Sequence, residues 1–403
     1  MPWKECDTVS LRRELVELAL AEGANVAALC RRFGVSRKTA YKWKARYQAS
    51  GVIGLRDRSR RPHRYRCRTA AALEAAALAI RDAHPAWGGR KIRARLQSRG
   101  HRQVPAASTL TAILHRQGRI RREESLKRQE LTRFEYPRPN DLWQMDFKGE
   151  FKMVNGRWCY PLTVLDDHSR YSLGLRACAD QRGRTVRPEL TGVFRRYGLP
   201  WAMLMDHGTP WSVSHTPGAW TKLSAWLLRL DVRVIRGRPY HPQTQGKEER
   251  FHRTLKAELL QWRSMNTLAH AQRLFDPWRR TYNFERPHEA LKMATPASRY
   301  RVSLRAYPEK LPPLEYGRSD AVRSVNPVGQ FHFQGRHCKT SEAFGGERIA
   351  MRPTATDGLW DVYYAFHRIG QLDLRTAGGR SRIARVLPAS SEPSGLSSRG
   401  QDP

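Results

Sequence analysis

The feature that most constrains this chain is a set of three carboxylates within residues 143–260, each on a different predicted element. Asp146 and Asp206 each end a short apolar run, which is typical of a buried strand. Glu249 lies near the start of a helix that follows a loop rich in Pro, Gly and Gln. Because two strand ends and a helix start can meet at one edge of a sheet, the pattern predicts a single site.

The predicted site has the composition of a metal centre. Three carboxylates without neighbouring cysteines or paired histidines suit hard, oxygen-preferring cations such as Mg²⁺ or Mn²⁺. Two such ions can activate an attacking oxygen and stabilise the leaving oxygen in an in-line displacement at phosphorus. We therefore expect Asp146, Asp206 and Glu249 to hold two ions and to act on a phosphodiester.

The spacing and surroundings of these carboxylates resemble those of the DDE transposases, whose core is similar to that of retroviral integrases. There are 59 residues between Asp146 and Asp206 and 42 between Asp206 and Glu249. The motifs that carry the resemblance are WQMDF at 143–147, DHGTP at 206–210, HPQTQGK at 241–247 and ERFHRTL at 249–255. The resemblance covers roughly residues 1–300. It implies an insertion-sequence transposase in which the three carboxylates are catalytic.

Glu249 has a direct competitor in Glu248. Transposases of this kind usually carry an apolar residue, often valine, immediately before the catalytic glutamate, so Glu248 departs from the pattern. An apolar stripe expected to pack on the sheet consists of Phe251, Leu255, Leu259 and Trp262. Glu248 falls at the edge of that stripe or in a fraying first turn, whereas Glu249 points about 100° further round, toward Arg253 and Lys256. We predict that Glu249 is the third metal ligand. Whether a chain with Glu248 at this position is fully active stays open.

The predicted fold is a multidomain α+β chain with tandem N-terminal helix-turn-helix modules, a ribonuclease-H-like α/β catalytic core and a small C-terminal β-barrel. The predicted domains are helix-turn-helix 1–50, Arg-rich linker 51–68, second helix-turn-helix 69–134, core 135–300, barrel 319–386 and disordered tail 387–403. Five short β-rich runs between residues 330 and 373 form the barrel, which is similar to the C-terminal barrels of integrases and of the phage Mu transposase. DNA contact and subunit contact both stay open as its role.

In the core, three locally paired antiparallel strands are expected first. The predicted elements are strands 142–148, 158–165 and 171–178, helix 186–197, a strand ending at Asp206, helix 219–230, strand 232–235 and the Glu249 helix. Asp166 and Asp167 compete as metal ligands. Because they follow a strand and precede a turn, we interpret them as structural or close to a phosphate.

Both N-terminal modules are predicted to bind DNA. In the first, Asn25 and Ser36 cap the second and third helices, and the third helix presents basic side chains suited to phosphates and a major groove. The linker holds seven arginines and could follow a minor groove or serve only as a tether. The predicted DNA-binding residues are Arg37, Lys38, Lys42, Lys44, Arg46, Arg58, Arg60, Arg61, Arg64, Arg90, Lys91, Lys247, Arg253 and Lys256.

Composition supports a polyanionic partner. The net charge is +36, and residues 1–130 alone hold 30 Lys and Arg against 11 Asp and Glu. No apolar run reaches the roughly 18 residues that a bilayer span requires, and the N-terminus lacks an apolar signal region. The six cysteines form no Cys-x-x-Cys pair, which indicates a reducing cytoplasm. We expect a bacterial cytoplasmic protein with no membrane partner.

Three functions compete on this evidence. The first is a DNA transposase that binds terminal inverted repeats of double-stranded DNA, cleaves a strand and joins the freed 3′-hydroxyl to target DNA. Such an enzyme holds two ends, so a homodimer or larger assembly is implied. The second is a catalytically weakened copy that represses by occupying the repeats. The third, a nuclease acting on RNA–DNA hybrids, is disfavoured because tandem helix-turn-helix modules read duplex DNA.

Overall fold

The computed structural model describes residues 7–58, 69–120, 135–206, 208, 210–211, 220–236, 246–375 and 383–388. The chain divides into two units, Met1–Arg68 and Thr69–Pro403. Each unit is built around its own packed elements. No helix among the described residues is both long and apolar enough to cross a membrane.

The first unit is the predicted helix-turn-helix module. Its helices are α1 Thr8–Leu20, α2 Val26–Arg32 and α3 Arg37–Ser50. The predicted caps are confirmed, because the Ala28 amide donates to the side chain of Asn25 and the Thr39 amide donates to that of Ser36. Each cap satisfies an amide that the first helical turn leaves unpaired.

Two details of this unit differ from prediction. The helical spacing of Leu11, Leu15 and Leu18 predicts one apolar face for α1. Leu11 and Leu18 are 41% and 36% exposed, however, and the buried residues are Leu15, Val16 and Ala19. The predicted linker also begins too early. Residues Gly51–Leu55 form a 3₁₀ turn whose fully buried Leu55 packs with Val16 and Trp43 of the module core.

The second unit begins with the other predicted three-helix module. Its helices are α4 Ala71–Ala83, α5 Gly89–Ser98 and α6 Ala107–Arg116. Apolar residues from all three helices, including Ile80, Ile92 and Leu110, form one core with Trp87. Gly89 lets α5 and α6 approach closely, because a β-carbon there would collide with the Ala107 carbonyl oxygen and the Thr111 hydroxyl.

A mixed sheet with helices on both faces forms the part of the chain predicted to be the catalytic core. Its strands are β1 Leu142–Phe147, β2 Phe151–Lys152, β3 Trp158–Asp166, β4 Ser172–Cys178, β5 Ala202–Met205 and β6 Arg233–Arg236. The predicted antiparallel pairing of β1, β3 and β4 is confirmed. Strand β5 then pairs in parallel with β1 and with β6, so that β1 and β5 lie side by side near the centre of the sheet.

Four helices cover this sheet. They are α7 Gly183–Tyr197, α8 Lys222–Arg229, α9 Gly246–Leu255 and α10 Leu268–Phe284. Helices α7 and α8 share an apolar core with one face of the sheet, and α9 and α10 share another. A π-helical turn, Lys256–Leu260, follows α9. This wider turn rotates the chain out of the predicted apolar stripe, and Trp262 is therefore 63% exposed rather than buried.

The C-terminal β structure has seven strands rather than the five predicted. They are β7 Ala321–Ser324, β8 Gln330–Phe333, β9 Arg336–Lys339, β10 Arg348–Pro353, β11 Leu359–Tyr364, β12 His367–Asp373 and β13 Ile383–Pro388. Their order, β7-β10-β11-β12-β13-β9-β8, makes a nearly closed barrel-like sheet. Leu387 and Pro388, which were expected in the disordered tail, belong to β13; the rest of that segment lies outside the described residues.

The barrel packs directly on helix α8. Ala225 and Leu228 of α8 belong to the same apolar cluster as the barrel interior. The Trp220 indole donates to the Ile369 carbonyl oxygen at 2.9 Å, and the Ser341 hydroxyl donates to the Trp220 carbonyl oxygen at 2.8 Å. The barrel is therefore attached to the catalytic core by burial and hydrogen bonds.

Gly89 provides a test of the second module. We expect Gly89→Ser to lower the free energy of unfolding by about 1–3 kcal/mol, because the added β-carbon forces α5 away from α6. The matched control is Gly88→Ser, since a β-carbon at Gly88 meets nothing within 4 Å and serine suits this N-cap position. Chemical denaturation of both variants measures the difference. Equal stability of the two would contradict the close approach at Gly89.

Candidate active site

Asp146 and Asp206 follow equivalent positions of two neighbouring parallel strands. Gln144 pairs with Leu204 in the β1–β5 register, and the two aspartates follow two residues later on each strand. Asp146 accepts a hydrogen bond from the Phe147 amide at 2.8 Å, and Asp206 accepts one from the Gly208 amide at 2.9 Å. Burial, and next the negative charge of Asp206, raise the pKa of Asp146 to about 7. The structure therefore brings these two predicted residues together.

Helix α9 presents a different glutamate to Asp146 from the one predicted. Glu248 is 1% exposed, and its Oε2 lies 3.0 Å from the Thr163 hydroxyl. The same hydroxyl lies 2.9 Å from the Asp146 carbonyl oxygen and 2.9 Å from His252 Nε2. Strand β3 supplies Thr163, which is opposite Asp146 in the antiparallel register. Glu248, Thr163 and His252 thus form a buried network behind Asp146.

The hydrogen bonds of this network depend on protonation. A hydroxyl donates one hydrogen bond and accepts two, and a carbonyl oxygen only accepts. The three contacts of Thr163 are hydrogen bonds together only when Thr163 donates to Asp146 and both Glu248 and His252 donate to Thr163. Burial, and next the charge of Asp146, raise the pKa of Glu248 well above its usual range. Burial thus favours the neutral acid at Glu248, which is the form that can donate to Thr163.

His252 completes the network as a neutral imidazole. Burial, and next the charge of Lys148, lower the pKa of His252 to about 3. Its Nδ1 lies 3.9 Å from Asp146, and its Nε2 lies 3.6 Å from Glu248. Sequence reasoning identified neither His252 nor Thr163. The available signals were the position of His252 four residues after Glu248, and the polar Thr163 within an apolar strand.

Glu249 does not join the two aspartates in this structure. Its side chain is 64% exposed and makes an ion pair with Arg253 at 3.0 Å. The expectation that three carboxylates converge is thus met for Asp146 and Asp206 only. Among the described residues, no three His, Cys, Asp or Glu side chains form a group that could hold a metal ion. The prediction that Glu249 faces Arg253 holds, but the fraying first turn suggested for Glu248 is wrong, because Glu248 is buried.

Asp166 and Asp167 have the structural roles expected of them. Asp166 accepts hydrogen bonds from the Asn140 and Ser169 amides, each at 2.8 Å. Asp167 accepts from the Tyr136 amide at 2.8 Å and makes a buried ion pair with Lys247. Lys247 was predicted to bind DNA; its side chain is 14% exposed and paired with Asp167 here, and its contact with DNA stays a prediction. Burial lowers the pKa of Lys247 to about 8 although Asp167 opposes the shift.

Two more lysines that were predicted to bind DNA also have partners within the protein. Lys44 donates to the Ala19 carbonyl oxygen at 2.9 Å, close to the end of α1. Lys91 is 18% exposed and makes an ion pair with Glu258 at 3.7 Å. Long basic side chains can tie helices together as readily as they bind phosphate, and sequence spacing does not distinguish the two roles. Arg90 also pairs with a core carboxylate, Glu289, but is 64% exposed.

The remaining predicted DNA-binding residues keep an accessible surface where the structure describes them. Arg37, Lys38 and Lys42 are exposed on α3. Arg46 is half-buried, and both Lys42 and Arg46 lie over the Trp43 ring. The other exposed members are Arg58, Arg253 and Lys256. Arg60, Arg61 and Arg64 lie outside the described residues, as do His207 and His241.

Comparison with protein families identifies the parts of the chain separately. Residues 136–242 and 230–296 match two models of an integrase core domain. Residues 11–63 match a helix-turn-helix domain, and residues 39–114 match a homeodomain-like domain. Residues 320–379 match the C-terminal domain of IS481 family transposases.

Individual relatives come from insertion elements. An uncharacterized protein of insertion element IS136 from Agrobacterium tumefaciens is 42% identical over 157 residues, which cover 36% of this chain and 76% of the relative. An uncharacterized 31.7 kDa protein of IS407 from Burkholderia multivorans is 28% identical over 217 residues, 52% of this chain and 74% of the relative.

Solved structures give weaker likenesses. A simian T-cell lymphotropic virus intasome has 15% identity and a TM-score of 0.36, covering 72% of this chain and 96% of the matched chain. The HTLV-2 integrase catalytic core domain in complex with magnesium has 12% identity and a TM-score of 0.31, covering 40% of this chain and 97% of the matched chain. Likenesses of this size do not support a comparison of individual residues.

The raised pKa of Asp146 predicts how stability depends on pH. The folded-state pKa of about 7 exceeds the unfolded value of about 4, so the folded state binds this proton more tightly. The stabilisation is fully present below the unfolded pKa and is lost as pH rises through about 7. Without divalent ions, we expect the melting temperature to fall between about pH 4 and pH 7.

Asp146→Asn should reduce that fall, because the neutral amide cannot ionise. The control is Asp357→Asn, which changes an exposed aspartate outside the site and should leave the pH profile unaltered. Melting temperatures measured across this pH range in a chelating buffer test the assignment. An unchanged profile for Asp146→Asn would contradict the burial of this carboxylate.

Proposed function

Because this chain belongs to the insertion-element transposases with an integrase-like core, we propose that it binds the terminal inverted repeats of its element and catalyses metal-dependent strand cleavage and 3′-hydroxyl strand transfer. The observation that carries the proposal is the pair of carboxylates on two neighbouring parallel strands, with Asp146 near the end of β1 and Asp206 directly after β5. Helix α9 begins beside that pair and presents two further carboxylates. The helix-turn-helix modules supply the DNA-binding function.

The two aspartates fit a divalent cation. Asp146 is mostly buried, and the negative charge of Asp206 further disfavours its ionised form. A bound divalent cation would offset this repulsion, and carboxylate oxygens are the ligands that Mg²⁺ and Mn²⁺ prefer. We therefore propose that Asp146 and Asp206 hold Mg²⁺ or Mn²⁺, with two ions in the working site.

Glu249 remains our proposed third ligand, although it faces Arg253 here. Both partners of that ion pair are more than 60% exposed, and exposed pairs four residues apart on a helix contribute only about 0.3–0.5 kcal/mol. A cation at Asp146 and Asp206 would compete with Arg253 for this carboxylate. Glu248, in contrast, is buried, and its Oε2 contacts the Thr163 hydroxyl while its Oε1 is buried without a hydrogen-bond partner. We assign Glu248 to positioning Asp146 rather than to binding a cation.

Two reactions follow at the same site. When bound, the ions lower the pKa of the attacking oxygen and stabilise the leaving one. In cleavage, a water oxygen bonds to phosphorus at the element end and the P–O3′ bond breaks, which leaves a 3′-hydroxyl and a 5′-phosphate. In strand transfer, that hydroxyl attacks a target phosphodiester, whose own P–O3′ bond breaks.

The residues of the chain hold this geometry. Thr163 fixes the Asp146 main chain, and neutral His252 adds no charge that would repel cations. Arg253 on α9, once released by Glu249, and Lys256 in the π-helical turn that follows are exposed and can contact DNA phosphates. Joining two ends requires two bound ends at once, so we propose a homodimer or larger assembly on DNA.

The aspartate pair gives the first test. Asp146→Asn or Asp206→Asn should reduce cleavage and strand transfer to the background level, while binding to duplexes from the DNA that flanks the gene stays within about twofold of wild type. Each change removes a ligand charge and leaves both DNA-binding modules intact. Labelled flanking duplexes with Mg²⁺ or Mn²⁺ provide the assay. Full nicking by either variant would exclude this site, and binding without cleavage by wild type would favour the repressor function.

The two adjacent glutamates give the second test. Glu249→Gln should abolish strand transfer without changing the melting temperature, because its side chain is exposed. Glu248→Gln preserves the shape and hydrogen-bonding ability of the neutral acid, so it should keep most activity and flatten the pH dependence of stability. Strand-transfer rates and melting curves of both variants decide between them. An inactive Glu248→Gln beside an active Glu249→Gln would assign the third ligand to Glu248.

A further inference from the structure

One basic face of helix α5 is covered by acidic residues of the catalytic core. Lys91 pairs with Glu258 at 3.7 Å, and Arg90 pairs with Glu289 at 3.6 Å. Arg95 makes a third ion pair, with Glu285. All three carboxylates belong to the segment that begins just after α9 and ends beyond α10. The second helix-turn-helix module therefore contacts the catalytic core through α5.

This contact is more than a loose surface pairing. Lys91 and Glu258 are 18% and 10% exposed, and Arg286 donates to the same carboxylate at 2.8 Å. Burial, and next the charge of Arg286, lower the pKa of Lys91 to about 8. Removing Glu258 would take this carboxylate away from two largely buried cations, Lys91 and Arg286, which costs more than an exposed ion pair contributes. Helix α5 is thus held to the core and does not offer Lys91 or Arg95 to DNA.

Helix α6 presents the free face of the same module. Its apolar side, Leu110, Ile113 and Leu114, is buried in the module core. Its opposite side consists of Ser108, Thr109, Ala112, His115 and Arg116, all exposed. These side chains are mostly small, and small residues let a helix approach base edges closely. The last helix of a helix-turn-helix unit is the one that enters the major groove.

The charge around α6 also suits DNA. Residues 96–120 contain four arginines and no aspartate or glutamate. Arg116 pairs with Glu74 at 2.8 Å and Arg119 pairs with Asp82 at 2.8 Å, so carboxylates of α4 offset two of these charges. Arg99 and Arg102 are exposed in the turn between α5 and α6. Basic side chains beside a helix face of mostly small, uncharged residues can bind phosphates while the helix reads bases.

We propose that the outer face of α6 reads the major groove of duplex DNA, and that docked α5 fixes this reading face at a set distance from Asp146 and Asp206. The module and the core then bind DNA as one body, and the distance sets where the strand is cut relative to the sequence read. This inference rests on the proposed function, because it requires DNA binding. The outer face of α6 then takes the place of Arg90 and Lys91 as the surface through which the second module contacts DNA.

The test places a negative charge on the α6 face. Ala112→Glu should weaken binding to duplexes from the flanking DNA about tenfold or more and remove the part of the footprint nearest the cleavage position. Ala112→Gln is the uncharged control, and its affinity for the flanking duplexes should fall less than that of Ala112→Glu. Ala79→Glu puts the same charge on an exposed position of α4 and should bind as wild type does. Melting curves confirm that all three variants fold.

The docking is tested separately by charge reversal at one pair. Arg95→Glu alone should spread the cleavage positions over several nucleotides, while Arg95→Glu combined with Glu285→Arg should restore the single wild-type position. Arg93→Glu makes the same change at an exposed site on α5 and should leave the position unaltered. Restoration by the double variant excludes simple misfolding as the cause of the loss.

The outcomes separate the two proposals. If wild type binds and cleaves but Ala112→Glu matches Ala79→Glu, α6 is not the reading face and the inference is wrong, while the proposed function stands. Unchanged cleavage positions in Arg95→Glu would overturn the fixed distance. If wild type binds flanking duplexes no better than random duplex and cuts neither, both the inference and the proposed function fail.

Discussion

The parallel pairing of β1 with β5 is the constraint on which the site depends. It brings two aspartates from distant parts of the sequence to neighbouring positions, where their like charges oppose each other in a partly buried setting. The rest of the core provides the means to keep them there. Strand β3 ties the Asp146 main chain through Thr163, and two helices cover each face of the sheet. Like charges held together in this way favour a cationic ligand.

Helix α9 packs against the sheet on one side and faces solvent on the other, and it carries one glutamate on each side. Its inner face must fill the space beside the sheet, and Phe251 and Leu255 do so with full burial. Glu248 lies on that same inner face, where an acid is tolerated only when neutral and hydrogen-bonded. Glu249, one residue further, lies in solvent. The two acids therefore differ in environment more than in chemistry, and the environment separates their proposed roles.

Local signals in the sequence were sufficient for much of this fold. Asn25 and Ser36 cap helices because of short-range hydrogen bonds, and the antiparallel strands form between neighbours in the chain. Contacts between distant segments were harder to predict. Nothing near Lys91 in the sequence indicates that Glu258 will bury it, and nothing near Trp262 indicates the π-helical turn that exposes it. Strands β7 and β13 were not predicted; β7 pairs with the distant β10, and β13 pairs with the distant β9 as well as with its neighbour β12.

The shared core of the barrel and α8 couples regions that the domain pattern treats as separate. Helix α8 has one side in the apolar core of the catalytic sheet, through Trp226 and Leu227, and another in the barrel interior, through Ala225 and Leu228. A truncation that removes the barrel would therefore expose apolar surface on a helix next to β5 and β6. Such a shortened protein would lose support beneath Asp206 and become prone to aggregation. Exchange of C-terminal domains between relatives would consequently succeed only when the surface of α8 is exchanged as well.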